Sequence, residues 1–262
     1  MILAGLMLLA VGSAAVLRTV FLRRGRTTRA LALAVAGAVI LVLALLADAF
    51  VAGLAAIAAA ALWHWAMPDR GNSPASIWPA AGLGILSAVA VLVVPVDYGD
   101  GIGEAVELDS PLGPLTLPGL VLMIGALAYL LEAANVVVRA ALERENIAPD
   151  PIPGETRTEV ETETVIGADG RPTVMPKLGP GQVMKGGRLI GPLERAIVFG
   201  LTLAAAYPLL AAFIAAKGIV RFPEISRDGD GGDRAEYFLV GSMVSWVQAL
   251  ACAFLVWWGL RS

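Results

Sequence analysis

Two groups of charged residues stand where charge is costly, beside or inside long apolar runs. The first is near the C-terminal end. Arg188, Glu194 and Arg195 precede an apolar stretch at 196–220, Lys217 and Arg221 close it, and Glu236 opens the next. If these residues meet, their chemistry is that of an anion site. Arginine offers a planar fork to phosphate, and such a cluster would take a lipid headgroup or another anion. The second group is Glu132, Asn135 and Arg139, spaced i, i+3 and i+7 so that a helix puts them on one face. With Arg139 marking a membrane boundary, Glu132 lies about 10 Å deeper along the helix. A carboxylate at that depth is a candidate for solute or proton handling, or part of a polar seam between helices.

Each charge also has a purely structural reading. If Gly191 caps a helix, Pro192 takes its first position and Glu194 falls in the first turn, where a negative charge complements the helix dipole. Lys217 and Arg221 are long basic side chains at a helix end, where they snorkel to the interface. Asp233-Arg234-Ala235-Glu236 resembles a capping box. Ser242, Ser245 and Gln248 are expected to hydrogen-bond between helices. His64, between Trp63 and Trp65, reads with Trp78, Trp257 and Trp258 as an interfacial anchor.

Composition fixes what must position these groups. Of 262 residues, 58% are hydrophobic and 16% charged, well below the ~25% charged of a soluble domain. The net charge of −3 comes with no basic field for nucleic acid. One cysteine, Cys252, excludes an intrachain disulfide and a cysteine-cluster metal site, and the single histidine disfavours a triad. No compact metal-ligand motif is present, so no metal and no cofactor are expected.

Seven segments approach the ~20 apolar residues of a helical span: roughly 2–20, 30–47, 49–67, 76–96, 117–140, 193–219 and 236–259. The run from 29 to 67 is too long for one crossing, and Asp48 at its middle is the natural turn of a helical hairpin. The first segment lacks a basic n-region and is followed by arginines, so it reads as a retained span with its N-terminus outside. With seven crossings, all nineteen Lys and Arg residues except Lys217, Arg221, Arg227 and Arg234 fall inside, in keeping with the positive-inside rule. The 193–219 segment is read as a crossing. The alternative is that it dips in and returns at Ala206-Tyr207-Pro208, which leaves only Arg261 outside. A crossing helix would hold Glu194 and Lys217 about 35 Å apart; only a returning one lets the first group converge.

The sizeable polar insert, 141–187, is expected on the cytoplasmic side. Alternation from Thr156 to Val165, a turn at Asp169-Gly170 and Thr173-Val174-Met175 predict a small β-hairpin. A lone hairpin needs packing or a partner. The organisation is therefore N-terminal membrane helices over 1–140, the polar insert over 141–187 and a C-terminal membrane region over 188–262.

Three ordered motifs add a resemblance. Gly187-Arg188-Leu189-Ile190-Gly191-Pro192-Leu193-Glu194-Arg195, then Ala215-Ala216-Lys217-Gly218-Ile219-Val220-Arg221-Phe222, then Ala235-Glu236-Tyr237-Phe238-Leu239-Val240-Gly241-Ser242 resemble the C-terminal part of a family of bacterial polytopic membrane proteins of unknown function. The resemblance covers the last quarter of the chain. It implies a bacterial plasma membrane and carries no activity.

The expected protein is an all-α integral membrane bundle of about seven apolar segments, or six spans plus one re-entrant hairpin, with a small cytoplasmic β-hairpin insert. The leading expectation for function is a non-enzymatic structural, assembly or scaffold component. Its partners are the lipid bilayer and a membrane protein or a second copy of itself. The alternatives are a small-solute or lipid transporter using the Glu132 face, and a membrane enzyme binding lipid phosphate at the C-terminal cluster.

Overall fold

A computed structural model describes residues 1–21, 24–67, 77–93, 107–110, 113–144, 162–166, 172–176, 187–225 and 233–261. The described chain is mostly helical. In order, the helices are α1 (Ile2–Val20), α2 (Arg26–Leu46), α3 (Phe50–Ala66), α4 (Trp78–Val93), α5 (Leu117–Ala128), α6 (Ala134–Arg144), α7 (Gly187–Leu203), α8 (Tyr207–Ile225) and α9 (Asp233–Gly259). A π-helical turn, Tyr129–Ala133, joins α5 to α6 in one continuous helix, Leu117–Arg144.

Four of these helices are long and apolar enough to cross a membrane: Ile2–Val20, Arg26–Leu46, Leu117–Arg144 and Glu236–Gly259. Phe50–Ala66, Trp78–Val93 and Tyr207–Val220 are shorter apolar helices. Large side chains such as Leu31, Val35 and Val42 on α2, and Leu239, Met243, Val247 and Phe254 on α9, point outward, while Glu194 and Arg195 are buried. This inverts the pattern of a water-soluble domain and is compatible with a membrane protein.

The core lies between α1 and the α5–α6 helix. Leu6, Met7 and Val11 of α1 are buried against Leu122 and Leu130. Glycine permits the close approach. A Cβ on Gly5 would lie 2.7 Å from the Leu122 backbone nitrogen, and one on Gly12 would lie 2.3 Å from the Ala128 carbonyl carbon. Since Gly5 meets Leu122 and Gly12 meets Ala128, α1 and α5 run parallel. The α9 helix runs the other way: Gly241 packs on Val138 and Leu142, and Gly259 on Leu122.

Two helical hairpins close with the same hydrogen-bond pattern. Between α2 and α3, Asp48 takes φ 49°, Ala49 N–H donates to Ala44 O and Asp48 N–H to Leu45 O. Between α7 and α8, Ala205 takes φ 52°, Ala206 N–H donates to Leu201 O and Ala205 N–H to Thr202 O. Both are Schellman closures, with the left-handed residue just past the helix end. The expected turn at Asp48 is thus observed.

The reading of 193–219 as one crossing helix is corrected. The chain breaks at 204–206, slightly before the expected tip, and Pro208 stands in the first turn of α8, where its missing N–H is harmless. The antiparallel setting of α9 on α5–α6 agrees with this. The chain leaves α6 and enters α9 at the same end of the bundle, so α7 and α8 make no net passage along it.

The polar insert contains the expected antiparallel pair, β3 (Thr162–Ile166) with β4 (Pro172–Pro176), in the register Thr164↔Val174. The Asp169-Gly170 turn and Thr156 to Glu161 lie outside the described residues. A second short pair, β1 (Glu107–Leu108) with β2 (Leu115–Thr116), precedes α5 and has no counterpart in the sequence reading.

Candidate functional site

The α7–α8 hairpin brings Glu194 back to Lys217. Lys217 Nζ donates to Glu194 Oε1 at 2.5 Å. Trp246 of α9 donates its indole N–H to the same oxygen at 2.6 Å. The Lys217 ammonium also lies 5.3 Å from the Phe238 ring centre and 5.2 Å from that of Trp246. The Glu194 side chain is 8% exposed and that of Lys217 22%, so the pair is largely withdrawn from solvent.

Arg195 points the other way, into the bundle, and is 1% exposed. Its Nε donates to Leu130 O at 2.7 Å and its Nη2 to Leu131 O at 3.3 Å and Asn135 Oδ1 at 2.6 Å; Nη1 donates to Ser245 Oγ at 3.3 Å. The two carbonyls belong to the π turn. A π turn shifts carbonyls off the ordinary i to i+4 ladder, and here a guanidinium fork satisfies them. The α7–α9 and α7–π-turn packing therefore meets at one side chain.

Asn135 links Arg195 of the first group to Glu132 of the second. While Oδ1 accepts from Arg195, its Nδ2 donates to Glu132 Oε2 and to Leu131 O, both at 3.3 Å. Glu132, Asn135 and Arg195 thus form one hydrogen-bonded set, and Glu194 with Lys217 and Trp246 forms a second beside it. Deeper, the Tyr129 hydroxyl donates to Gln248 Oε1 at 2.9 Å, and the Tyr129 ring meets Trp63 edge-on at 6.0 Å.

Arg139 and Glu236 do not join. Arg139 is exposed and its Nε returns to the Asn135 carbonyl at 3.4 Å. Glu236 is exposed near the start of α9, and no hydrogen bond among the described residues ties it to Glu194 or Lys217. Arg188 and Arg221 lie in α7 and α8, with side chains outside the described residues. The Gly191 cap is corrected. The α7 helix already runs from Gly187, Pro192 lies inside it, and Gly191 instead leaves room beside Asn135 and the Arg195 guanidinium. Trp63 is likewise corrected from interfacial anchor to core: it is buried, and His64 Nδ1 lies 3.1 Å from an Arg18 Nη1.

Sequence reasoning anticipated Ser245 and Gln248 as bonding groups between helices. It missed Trp246 and Phe238, whose signal was their i, i+8 spacing on the face of α9 that receives Lys217. It also missed the π turn, which no residue type in Tyr129-Leu130-Leu131-Glu132-Ala133 announces. Among the described residues, no group of three His, Cys, Asp or Glu is placed to hold a metal. No protein-family model, curated protein or solved structure matches this chain.

Proposed function

We propose that this is a multi-pass bacterial plasma-membrane protein with a structural or scaffold role, in which the C-terminal charge network fastens a re-entrant hairpin and the 141–187 insert meets a partner. In this reading α1, α2, α3, α4, α5–α6 and α9 cross, the N-terminus is outside and the insert is cytoplasmic. The depth of the hairpin suits it. From Glu194 to Leu203 is nine residues, about 14 Å of helix, or half of a ~30 Å hydrocarbon layer. The positive-inside rule favours the same threading, because Lys217, Arg221, Arg227 and Arg234 then join the cytoplasmic set.

The observation that carries the reading is the commitment of the buried cations. Arg195 directs its donors to Leu130, Leu131, Asn135 and Ser245, and Lys217 is held by Glu194. Charges so engaged fix a packing arrangement, a recognised use of buried polar groups. A separate Tyr129–Gln248 hydrogen bond lies deeper. Beyond it the bundle is filled by buried Leu6, Met7, Leu122, Ala253 and Val256, which favours a scaffold over a transporter.

The test is photo-crosslinking from position 160 in native membranes, in the full chain and in one lacking residues 162–176. One discrete crosslinked partner that disappears with the deletion and survives Glu132→Gln supports the scaffold. If no insert position crosslinks, and Glu132→Gln abolishes the cellular phenotype without lowering stability, the transporter reading replaces it.

A further inference from the structure

The surroundings of the Lys217 ammonium have the composition of a cation-binding cage. A carboxylate faces it at 2.5 Å, and two aromatic rings stand at 5.2 and 5.3 Å, within cation–π range. The cage is organised independently of its occupant. Glu194 comes from α7 and its Oε1 is also held by the Trp246 indole N–H at 2.6 Å. Phe238 and Trp246 come from α9, which packs on both α7 and α6. Only Lys217 comes from α8, whose contacts with the rest of the bundle are slight beside those of α7. Three walls thus belong to one packed unit, and the occupant belongs to the looser arm of the hairpin.

We infer that Glu194, Phe238 and Trp246 form a binding site for a primary ammonium group, and that Lys217 is its tethered ligand, holding α8 against the bundle until another ammonium takes its place. The short contact to Glu194 requires an N–H donor, so the site selects a primary ammonium over a quaternary one. Both a free alkylamine and the ethanolamine headgroup of a phospholipid carry that chemistry. The site holds whether or not the insert recruits a partner.

The experiment empties the cage and refills it. Lys217→Ala, and Lys217→Met to keep the volume of the arm, are reconstituted in nanodiscs of choline phospholipid and melted against ethylammonium chloride, tetramethylammonium chloride and sodium chloride at equal ionic strength. Both variants are expected to lose thermal stability. Ethylammonium is expected to recover at least half of the lost Tm with a saturable dose dependence, the other two salts are not, and the intact chain, whose cage Lys217 already fills, responds only at higher ethylammonium concentration. Adding Glu194→Gln removes the recovery. A second arm replaces the choline lipid with ethanolamine lipid. Recovery there identifies the headgroup as ligand, and recovery by ethylammonium alone identifies a soluble amine. If neither restores Lys217→Ala or Lys217→Met beyond sodium chloride, or if both variants melt like the intact chain, the tethered-ligand site is overturned.

Discussion

Glu194 and Lys217 are 23 residues apart in the chain and 2.5 Å apart in space. A straight helix between them would separate them by about 35 Å, so their contact requires the chain to turn back between α7 and α8. The turn at Ala205 supplies that reversal, and the antiparallel course of α9 on α6 is its consequence.

The contact gives a thermodynamic signature. In a double-mutant cycle, Glu194→Gln and Lys217→Met are expected to show a coupling of roughly 1–3 kcal/mol by reversible unfolding in mixed micelles. Additive effects, within about 0.5 kcal/mol, would mean that the two side chains are not in contact.

Removing Arg195 should cost more than removing any exposed arginine. Arg195→Met leaves the Leu130 and Leu131 carbonyls and Asn135 Oδ1 without their buried, charged donor. A loss of about 3–5 kcal/mol is expected, the range for breaking a buried charge arrangement. Arg195→Lys should recover only part of it, because a lysine cannot span carbonyls and amide with a planar fork. Arg139→Met, at an exposed position, should lie within about 0.5 kcal/mol of the parent.

The α1–α5 contact sets a contrast among glycines. Gly12→Ala places a methyl 2.3 Å from the Ala128 carbonyl carbon, so the helices must part, and a loss of about 1–3 kcal/mol is expected. Gly84→Ala meets nothing within 4 Å and should be neutral or stabilising by up to about 1 kcal/mol. Melting both variants side by side checks the packing directly.

Ala205 carries a left-handed backbone, φ 52°, without the freedom of glycine. Ala205→Gly is expected to raise stability by about 0.5–1 kcal/mol, and Ala205→Val to lower it. Equal stability of all three would show that 204–206 does not adopt the left-handed closure.

How much of this was legible depends on which residues announce themselves. Asp48 did, as a lone carboxylate in an apolar run and a residue type that tolerates a left-handed backbone. The second turn did not. Its left-handed residue is an alanine, which has no turn preference, and the proline that drew attention, Pro208, belongs to the first turn of α8. The i, i+3 pairing of Glu132 with Asn135 followed from helical spacing, and their hydrogen bond is observed. The link from Asn135 to Arg195 spans 60 residues and depends on the π turn, a backbone feature set by packing rather than by residue type. The same holds for Trp246, which meets Glu194 only once the hairpin and α9 are assembled.

The reversal of the chain at Ala205 within the membrane is the central claim, and the sidedness of the α8–α9 loop tests it most directly. In a Cys252→Ala background, which removes the one native cysteine, single cysteines are placed at positions 48, 167 and 229 and labelled in intact cells with a membrane-impermeant maleimide. Positions 167 and 229 are expected to stay protected until the cells are opened, with position 48 labelled from outside. Labelling of position 229 from outside, together with position 48, would contradict the returning hairpin.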